Sequence, residues 1–258
     1  MNMQYIRYRS GSKAVWGRCA GDEIVELAAP PWTEQAQELR RFASTSDLPI
    51  LPPCEPTKIL CVGKNYSAHV KELHPDEDLP KEPLLFMKPT SALLPPNGTI
   101  LMPPQSERVD YEGELAVVIG KELSWASEVE AQAGIFGYTL ANDVTARDLQ
   151  SKDGQWTRGK GFDTFCPVGP NLVTEIAEDA VIVTRVNGEE RQRASLTQMI
   201  FSVIDVICYI TKCMTLYPGD IILTGTPEGV GPLQAGDTVE VAMAGIGILR
   251  NHVALREV

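Results

Sequence analysis

The sequence lacks an apolar segment long enough to cross a bilayer. Its longest apolar stretch, residues 199–210, is interrupted by Ser202 and Asp205, and the first ten residues contain no apolar signal core. From these absences we expect a cytoplasmic protein that has no membrane partner.

Basic residues are in the minority among the charged side chains. Lysine and arginine number 23 against 34 aspartate and glutamate residues, which gives a formal net charge of -11 at pH 7. An acidic surface repels phosphate backbones, so we do not expect nucleic acid as a partner. The same excess of carboxylates suits a protein that binds cations.

Paired cysteines and the common nucleotide and serine motifs are also missing. The six cysteines are scattered without a C-x-x-C pair, which indicates reduced, mostly buried thiols rather than a disulfide framework or a zinc site. The glycine-rich segment 225–231 lacks both the G-K-[ST] ending of a phosphate loop and the G-x-G-x-x-G of a dinucleotide fold. No serine lies in a G-x-S-x-G setting, so a serine hydrolase is not expected.

Two parts of the chain differ in composition. The first thirty residues alternate apolar and polar positions between glycines, which predicts a small hairpin unit, and Thr33 followed by residues 34–42 predicts a capped short helix. Four prolines then fall within residues 48–58, which predicts an extended linker. We therefore expect a small N-terminal domain with a proline-rich linker over residues 1–56 and a main domain over residues 57–258.

The main domain contains many short strand signals and few helix signals. A continuous apolar run from Leu115 to Ile119 predicts a buried strand, and Asn187-Gly188 predicts a hairpin turn. Residues 127–133 predict a short helix, and Ser195 can cap a longer one. This pattern indicates a mainly β (α+β) fold, built as a rolled sheet with a few flanking helices.

Three carboxylates stand out near the buried strand. Glu112 and Glu114 lie two apart, so on a strand they share a face about 6.6 Å apart and repel by about 2.5 kcal/mol at an effective dielectric of 20. A divalent cation would turn this repulsion into coordination, although acidic residues also occur on solvent-facing strand edges. Asp143 follows another predicted strand and is either a third ligand or part of a turn.

Seven motifs in order give the sequence a family resemblance. The chain from Lys58 onward is similar to the fumarylacetoacetate hydrolase family, and it resembles most the short branch of acylpyruvases, oxaloacetate decarboxylases and hydroxymuconate-type isomerases. The motifs are GKNYSAHVKEL (63–73), FMKP (86–89), DYEGELAVVIGK (110–121), NDVTARDLQ (142–150), WTRGKGFDTFCPVGP (156–170), VNGEERQ (186–192) and LTGTPEGVGP (223–232).

The resemblance implies a fold, a metal and an assembly. It implies a β-roll core, a homodimer, and Mg²⁺ or Mn²⁺ held by Glu112, Glu114 and Asp143. The N-terminal fifty residues lie outside the motif set and resemble the small leading domain of many family members.

The resemblance also implies three catalytic residues. His69 and Glu72 match a histidine–glutamate pair on a segment that orders over the substrate, where the carboxylate would raise the basicity of the imidazole. Lys160, between two glycines, would place a positive charge beside a developing oxyanion. Without the resemblance, a solvated surface helix would be the better explanation of His69 and Glu72, and the alternative for Lys160 is an exposed loop lysine.

Four further residues are candidates for substrate binding. Arg147 and Gln150 would face one site on a helical turn, and arginine suits a carboxylate, but Arg147 could equally form a structural ion pair with Asp110 or Asp148. Lys88 and Thr226 are the other two candidates, and the segment around Thr226 could also be only a tight turn.

These residues predict a metal-dependent hydrolase or lyase of a small 2-oxo acid. We expect cleavage of a C–C bond through a metal-stabilised enolate, either as acylpyruvate-type hydrolysis or as oxaloacetate decarboxylation. The alternatives are an isomerase or decarboxylase of hydroxymuconate-type diacids in aromatic catabolism, and a non-catalytic, metal-stabilised binding protein.

Overall fold

The computed structural model describes residues 2–44, 48–73 and 75–257. In these ranges the chain is mainly β, as the sequence predicts. The strands of the first half are β1 Gln4–Ser10, β2 Lys13–Ala20, β3 Glu23–Leu27, β4 Glu38–Ala43, β5 Ile50–Leu51, β6 Ile59–Gly63, β7 Leu84–Lys88, β8 Leu93–Leu94, β9 Thr99–Met102, β10 Val109–Tyr111 and β11 Gly113–Ile119.

The second half continues the pattern and adds most of the helices. Its strands are β12 Ile135–Asn142, β13 Thr145–Ala146, β14 Cys166–Val173, β15 Val181–Val186, β16 Glu189–Ser195, β17 Ile221–Leu223, β18 Gly231–Pro232, β19 Thr238–Met243 and β20 Gly247–Leu255. The α-helices of the described chain are α1 Ser67–Leu73, α2 Glu128–Gly134, α3 Arg147–Asp153, α4 Thr157–Lys160 and α5 Val203–Cys213, and short 3₁₀ helices cover Thr90–Ala92 and Leu196–Gln198.

One large sheet runs through most of the molecule. Its strand order is β4-β3-β2-β1-β14-β12-β11-β17-β6-β7, with β5 paired to β1 and β8 paired to β14. The N-terminal strands extend this sheet, because Gln4 in β1 pairs with Val173 in β14. The division of the chain near Pro56 stays a prediction.

The central strand β11 is buried along its whole length and separates packed layers. Val117 and Ile119 pack with Ile207 of α5 on one side of the sheet. On the other side, Ala116 and Val118 pack in a separate core cluster. A five-stranded sheet, β16-β15-β19-β20-β9, and a three-stranded sheet, β13-β10-β18, complete the fold.

Several local predictions are confirmed and two are wrong. The hairpin at Asn187-Gly188 joins β15 to β16, and Ser127 caps α2. The predicted helix after Thr33 is a strand instead, because residues 38–43 pair along β3. Ser195 does not cap the long helix and instead caps the short 3₁₀ helix Leu196–Gln198. The helix α5 has its own capping box, in which the side chains of Ser202 and Asp205 each accept a hydrogen bond from the backbone N–H of the other residue.

The helices of the described chain are all too short or too polar to span a bilayer.

Candidate metal and substrate site

Strand pairing brings the three predicted carboxylates together. Glu112 lies between β10 and β11, Glu114 lies in β11, and Asp143 directly follows β12. The pairing of Gly113 with Asn142 aligns these strand ends, and the Asp143 N–H donates to the Glu112 carbonyl at 2.8 Å. One ligand oxygen from each carboxylate lies within 4.8 Å of the others, and all three residues are buried.

Glycine is required between the two glutamates. A Cβ on Gly113 would lie 2.0 Å from Thr184 Oγ1 of β15, a contact that nothing but a shift of the backbone or of Thr184 could relieve. The Gly113 N–H also donates to Gln192 Oε1 at 3.0 Å. β15 therefore packs directly against the extended segment that carries the two glutamates.

Two buried lysines hold two of the carboxylates. The Lys160 ammonium donates to Glu112 Oε2 at 2.8 Å and to Asp143 Oδ2 at 2.7 Å. The Lys88 ammonium donates to Asp143 Oδ1 at 2.6 Å and to the Val144 carbonyl at 3.1 Å. The Lys88 ammonium is thus bonded to acceptors of the protein itself, and its role in substrate binding stays a prediction.

The electrostatic balance differs between the two glutamates. Burial alone would raise the pKa of Glu112, but attraction to Lys160 and Arg147 outweighs it, and the pKa lies below its ordinary value. Burial, together with repulsion from Asp143 and Glu112, raises the pKa of Glu114 well above its ordinary value. Burial lowers the pKa of Lys160, but the attraction of Asp143 and Glu112 is larger, so the net shift is upward.

This imbalance fits a divalent cation. Glu114 accepts a hydrogen bond from the Gly225 N–H at 2.6 Å, but it has no ion-pair partner among the described residues. A buried carboxylate beside two others, with oxygen donors only, matches the ligand preference of Mg²⁺ or Mn²⁺. Glu112, Glu114 and Asp143 could therefore hold such an ion.

Every nitrogen of the Arg147 guanidinium donates to a side chain of the protein, two of them to carboxylates. Nε donates to Asp110 Oδ2 at 2.9 Å, Nη1 donates to Gln150 Oε1 at 2.7 Å, and Nη2 pairs with Glu112. Burial alone would lower the pKa of Arg147, but Glu112 and Asp110 more than offset it and raise the pKa. The structural ion pair with Asp110 that the sequence left open is thus present.

His69 and Glu72 share a face of α1 without a close pairing. The distance from His69 Nδ1 to Glu72 Oε2 is 3.5 Å, and both Glu72 oxygens accept from the Gly229 N–H at 3.1 Å. His69 Nδ1 is buried and has no hydrogen-bond partner in the described part of the chain. Burial lowers the pKa of His69 despite the opposing attraction of Glu112, so the imidazole is neutral near pH 7.

A cavity of about 260 Å³ joins these groups. Its walls include the three carboxylates and Lys160, and its size suits a small ligand. Of the other predicted residues, His69, Arg147, Gln150 and Thr226 line it, whereas Glu72 and Lys88 do not. The Thr226 hydroxyl donates to the Gly113 carbonyl at 3.0 Å and accepts from Gln192 at 2.8 Å, so its proton is already committed within the protein.

The cavity wall also contains residues that were not predicted from the sequence, notably Arg108, Lys64, Phe86 and Trp156. Arg108 carried a usable signal, because it lies two residues before Asp110 and the two side chains therefore share a face of the extended chain. The aromatic residues carried none, since Phe86 and Trp156 are seventy positions apart and meet only in the fold, with ring centroids 5.1 Å apart.

Comparison with known proteins places this architecture in a family. The profile of the fumarylacetoacetate (FAA) hydrolase C-terminal family matches residues 58–254, and the profile described as Rv2993c-like, N-terminal matches residues 3–53.

Individual relatives agree with the profiles. The human protein named oxaloacetate tautomerase FAHD2A, mitochondrial, is 42% identical over 242 residues, which cover 85% of this chain and 76% of that protein. The crystal structure of 5-carboxymethyl-2-hydroxymuconate delta-isomerase from Mycobacterium smegmatis is 40% identical, with a TM-score of 0.89 over 98% of this chain and 100% of that one. Fumarylacetoacetate hydrolase from Exiguobacterium antarcticum is 34% identical, with a TM-score of 0.85 over the same shares of the two chains. The chain therefore belongs to the fumarylacetoacetate hydrolase family.

Proposed function

We propose that the protein catalyses the enol–keto tautomerisation of a small 2-oxo dicarboxylic acid of the oxaloacetate type. The observation that carries this proposal is a neutral, buried imidazole, His69, in the wall of the same cavity as three carboxylates and several cations. Such a cavity offers a proton carrier beside a site for an anionic, chelating substrate.

In this proposal Glu112, Glu114 and Asp143 hold Mg²⁺ or Mn²⁺. The bound ion would withdraw electrons from the keto group of a 2-oxo acid and so favour proton exchange at C3. Lys160 keeps two of the ligands in place through its hydrogen bonds to Glu112 and Asp143. Arg147 orients Gln150 by donating to its amide oxygen, which leaves the Gln150 amide N–H groups to serve as donors toward the cavity.

The reaction needs one proton to move and no bond between heavy atoms to break. His69, neutral because it is buried, accepts the hydroxyl proton of the enol, and the same imidazole delivers a proton to C3. The imidazole is neutral again at the end, so atoms and charge balance.

Contacts of Glu72 favour proton transfer over hydrolysis. A carboxylate bonded to the imidazole would raise its basicity toward water, but Glu72 lies 3.5 Å from Nδ1 and accepts from the Gly229 N–H with both oxygens. The names of two relatives, a tautomerase and a delta-isomerase, support the same choice, because both describe the relocation of a proton.

Cleavage of a C–C bond, the expectation from the sequence, is the second candidate. His69 and Glu72 do share a helix face, and the distance of 3.5 Å between Nδ1 and Oε2 leaves them near enough to act together on water. The fumarylacetoacetate hydrolase from Exiguobacterium antarcticum has the same fold, which supports hydrolysis as the second candidate.

An assay of enol-oxaloacetate ketonisation tests the proposal. The reaction is monitored as the decrease in the ultraviolet absorbance of the enol. In the presence of Mg²⁺ we expect the wild-type protein to accelerate ketonisation well above the spontaneous rate. His69→Asn should lose on the order of 10²-fold of this rate, because a general acid–base group contributes about that much. His252→Asn is the matched control, since His252 is exposed on β20 and bonds Thr238.

Two outcomes would overturn the proposal. The first is hydrolysis of an acylpyruvate without acceleration of ketonisation, which would support C–C cleavage. The second is the absence of both activities with Mg²⁺ and with Mn²⁺, which would support a binding protein.

A further inference from the structure

Arg108 is held at the cavity by a buried carboxylate. Its Nε and Nη2 donate to the two oxygens of Asp110 at 2.9 and 3.1 Å, and Asp110 is fully buried. The Arg108 side chain itself is 49% exposed and forms part of the cavity wall. A bidentate pair of this kind fixes the plane of the guanidinium.

The two cavity arginines differ in what they leave free. Arg147 donates from Nε, Nη1 and Nη2 to three different acceptors, so neither edge of its guanidinium has two free nitrogens. Arg108 uses only the Nε–Nη2 edge, and its Nη1 has no partner within the described residues. Only Arg108 therefore keeps an edge, Nη1 with the second N–H of Nη2, that can take a carboxylate with two hydrogen bonds.

The remaining cations at the cavity are also committed. Lys160 donates to Glu112 and Asp143, and Lys64 pairs with Glu77. Of the cavity cations in the described ranges, Arg108 is thus the one best prepared to bind a second anionic group of a ligand whose 2-oxo acid end lies at the carboxylates.

We infer that Arg108, and not Arg147, recognises the distal carboxylate of the substrate, and that Asp110 positions it for this role. The inference rests on the proposed function, because it takes the substrate to be a 2-oxo dicarboxylic acid, and it names the residue that selects dicarboxylates over monocarboxylates. Monocarboxylic 2-oxo acids would leave the free edge of Arg108 without a partner and bind more weakly.

A matched pair of substrates isolates this contact. Enol-oxaloacetate carries the distal carboxylate, and its 4-methyl ester keeps the 2-oxo acid and the reactive C3 but removes the distal charge. The wild-type protein should show a KM for the ester that is on the order of 10- to 100-fold higher than for the diacid, since a charge-assisted bidentate contact is lost.

Arg108→Gln should remove this preference. We expect the KM for the diacid to rise on the order of 10- to 100-fold, the KM for the ester to change by less than about 2-fold, and kcat to change little for either. Arg108→Lys should restore part of the preference, because it keeps the charge and loses the bidentate geometry. Arg193→Gln is the matched control, since Arg193 holds Glu190 through the same two nitrogens on an exposed strand away from the cavity.

A binding measurement separates this inference from the proposed reaction. Malate carries the distal carboxylate and 2-hydroxybutyrate lacks it, so calorimetry with these two compounds in Mg²⁺ buffer reads recognition without turnover. Arg108→Gln should weaken malate binding on the order of 10- to 100-fold and leave 2-hydroxybutyrate unchanged.

The outcomes are distinguishable. The role of Arg108 would be overturned if Arg108→Gln changed the KM for enol-oxaloacetate and for its 4-methyl ester equally, or changed neither. Equal or absent changes in the affinities for malate and 2-hydroxybutyrate would also overturn it. Absence of ketonisation in the wild-type protein, with selective loss of malate binding in Arg108→Gln, would overturn the proposed reaction and support Arg108 as the recognition residue.

Discussion

Ion pairs occur in two very different settings in this molecule. On the N-terminal strands, Arg41 pairs with Glu38 while 57% and 47% of the two side chains remain exposed. At the cavity, Lys88 pairs with Asp143 with 0% and 1% exposed. The chemical groups are alike, but the solvent around them is not.

The difference in burial decides what each pair does. An exposed pair contributes about 0–1 kcal/mol, because water screens it and side-chain entropy opposes it. A buried pair has lost its hydration, so removal of one partner leaves a charge that nothing compensates, at a cost of about 3–5 kcal/mol. The exposed pairs are therefore replaceable, whereas the buried network is a set of mutually dependent charges built around the carboxylates of the site.

Lys88→Met should give the largest effect on stability. The substitution keeps the length of the side chain and leaves Asp143 with one ammonium instead of two. Because Asp143 keeps Lys160, we expect the free energy of unfolding to fall by more than about 1 kcal/mol but by less than the roughly 3–5 kcal/mol of an uncompensated buried charge, measured by urea denaturation in the presence of a chelator. A loss below about 1 kcal/mol would show that the buried and exposed pairs do not differ as described.

Glu114→Gln should come next and should affect activity rather than folding. It removes an anionic ligand but keeps the shape and the hydrogen bond from the Gly225 N–H. Mg²⁺-dependent turnover should fall at least about 100-fold, since even residues that only support a ligand cost 10- to 100-fold. Unchanged turnover at limiting Mg²⁺ would exclude Glu114 as a ligand.

The pH profile tests the buried imidazole. Burial lowers the pKa of His69, so the neutral form persists to a lower pH than for a free histidine, whose pKa is about 6.5. At saturating Mg²⁺, kcat/KM should therefore fall on the acid side with a midpoint below about 6.5. The folded protein also binds fewer protons at His69 than the unfolded chain does, so stability should decrease as the pH falls through the same window.

His69→Asn is the control for this profile, because the acid limb should disappear with the imidazole. A midpoint at or above about 6.5 would contradict a buried neutral histidine as the proton carrier.

Arg41→Met should give the smallest effect. Arg41 is an exposed partner of Glu38, which also pairs with Arg18, and the substitution is matched to Lys88→Met. We expect a change of no more than about 1 kcal/mol in urea denaturation, and it should shrink further at high salt. A change as large as that for Lys88→Met would remove the contrast between the two regions.

The sequence predicted the site best where chemistry and local periodicity coincide. Glu112 and Glu114 share a face because successive side chains of a strand point to opposite faces, and the apolar run after them predicted that strand. Whether Asp143 joined them depended on the pairing of β11 with β12, which spacing along the chain does not determine. The resemblance to the family is what indicated that Asp143 lies beside the two glutamates.

The wrong helix prediction after Thr33 has a tertiary cause. Residues 34–42 contain good helix formers, but pairing with β3 and packing of Phe42 against Tyr8 override that propensity. Lys88 and Arg147, two candidates for substrate binding, pair with carboxylates of the protein, and for Arg147 the pair with Asp110 was one of the two predicted alternatives. A sequence shows which residues are charged, whereas the partners of each charge depend on the fold.

The central claim is that the buried carboxylates form a metal site, and a calorimetric titration of the protein with Mn²⁺ tests it most directly. The wild-type protein and Glu128→Gln, which changes an exposed glutamate of α2, should each bind one Mn²⁺ per chain at the same affinity. Glu114→Gln should bind it at least about 100-fold more weakly. Equal affinity in Glu114→Gln, or no binding to the wild-type protein, would contradict the account.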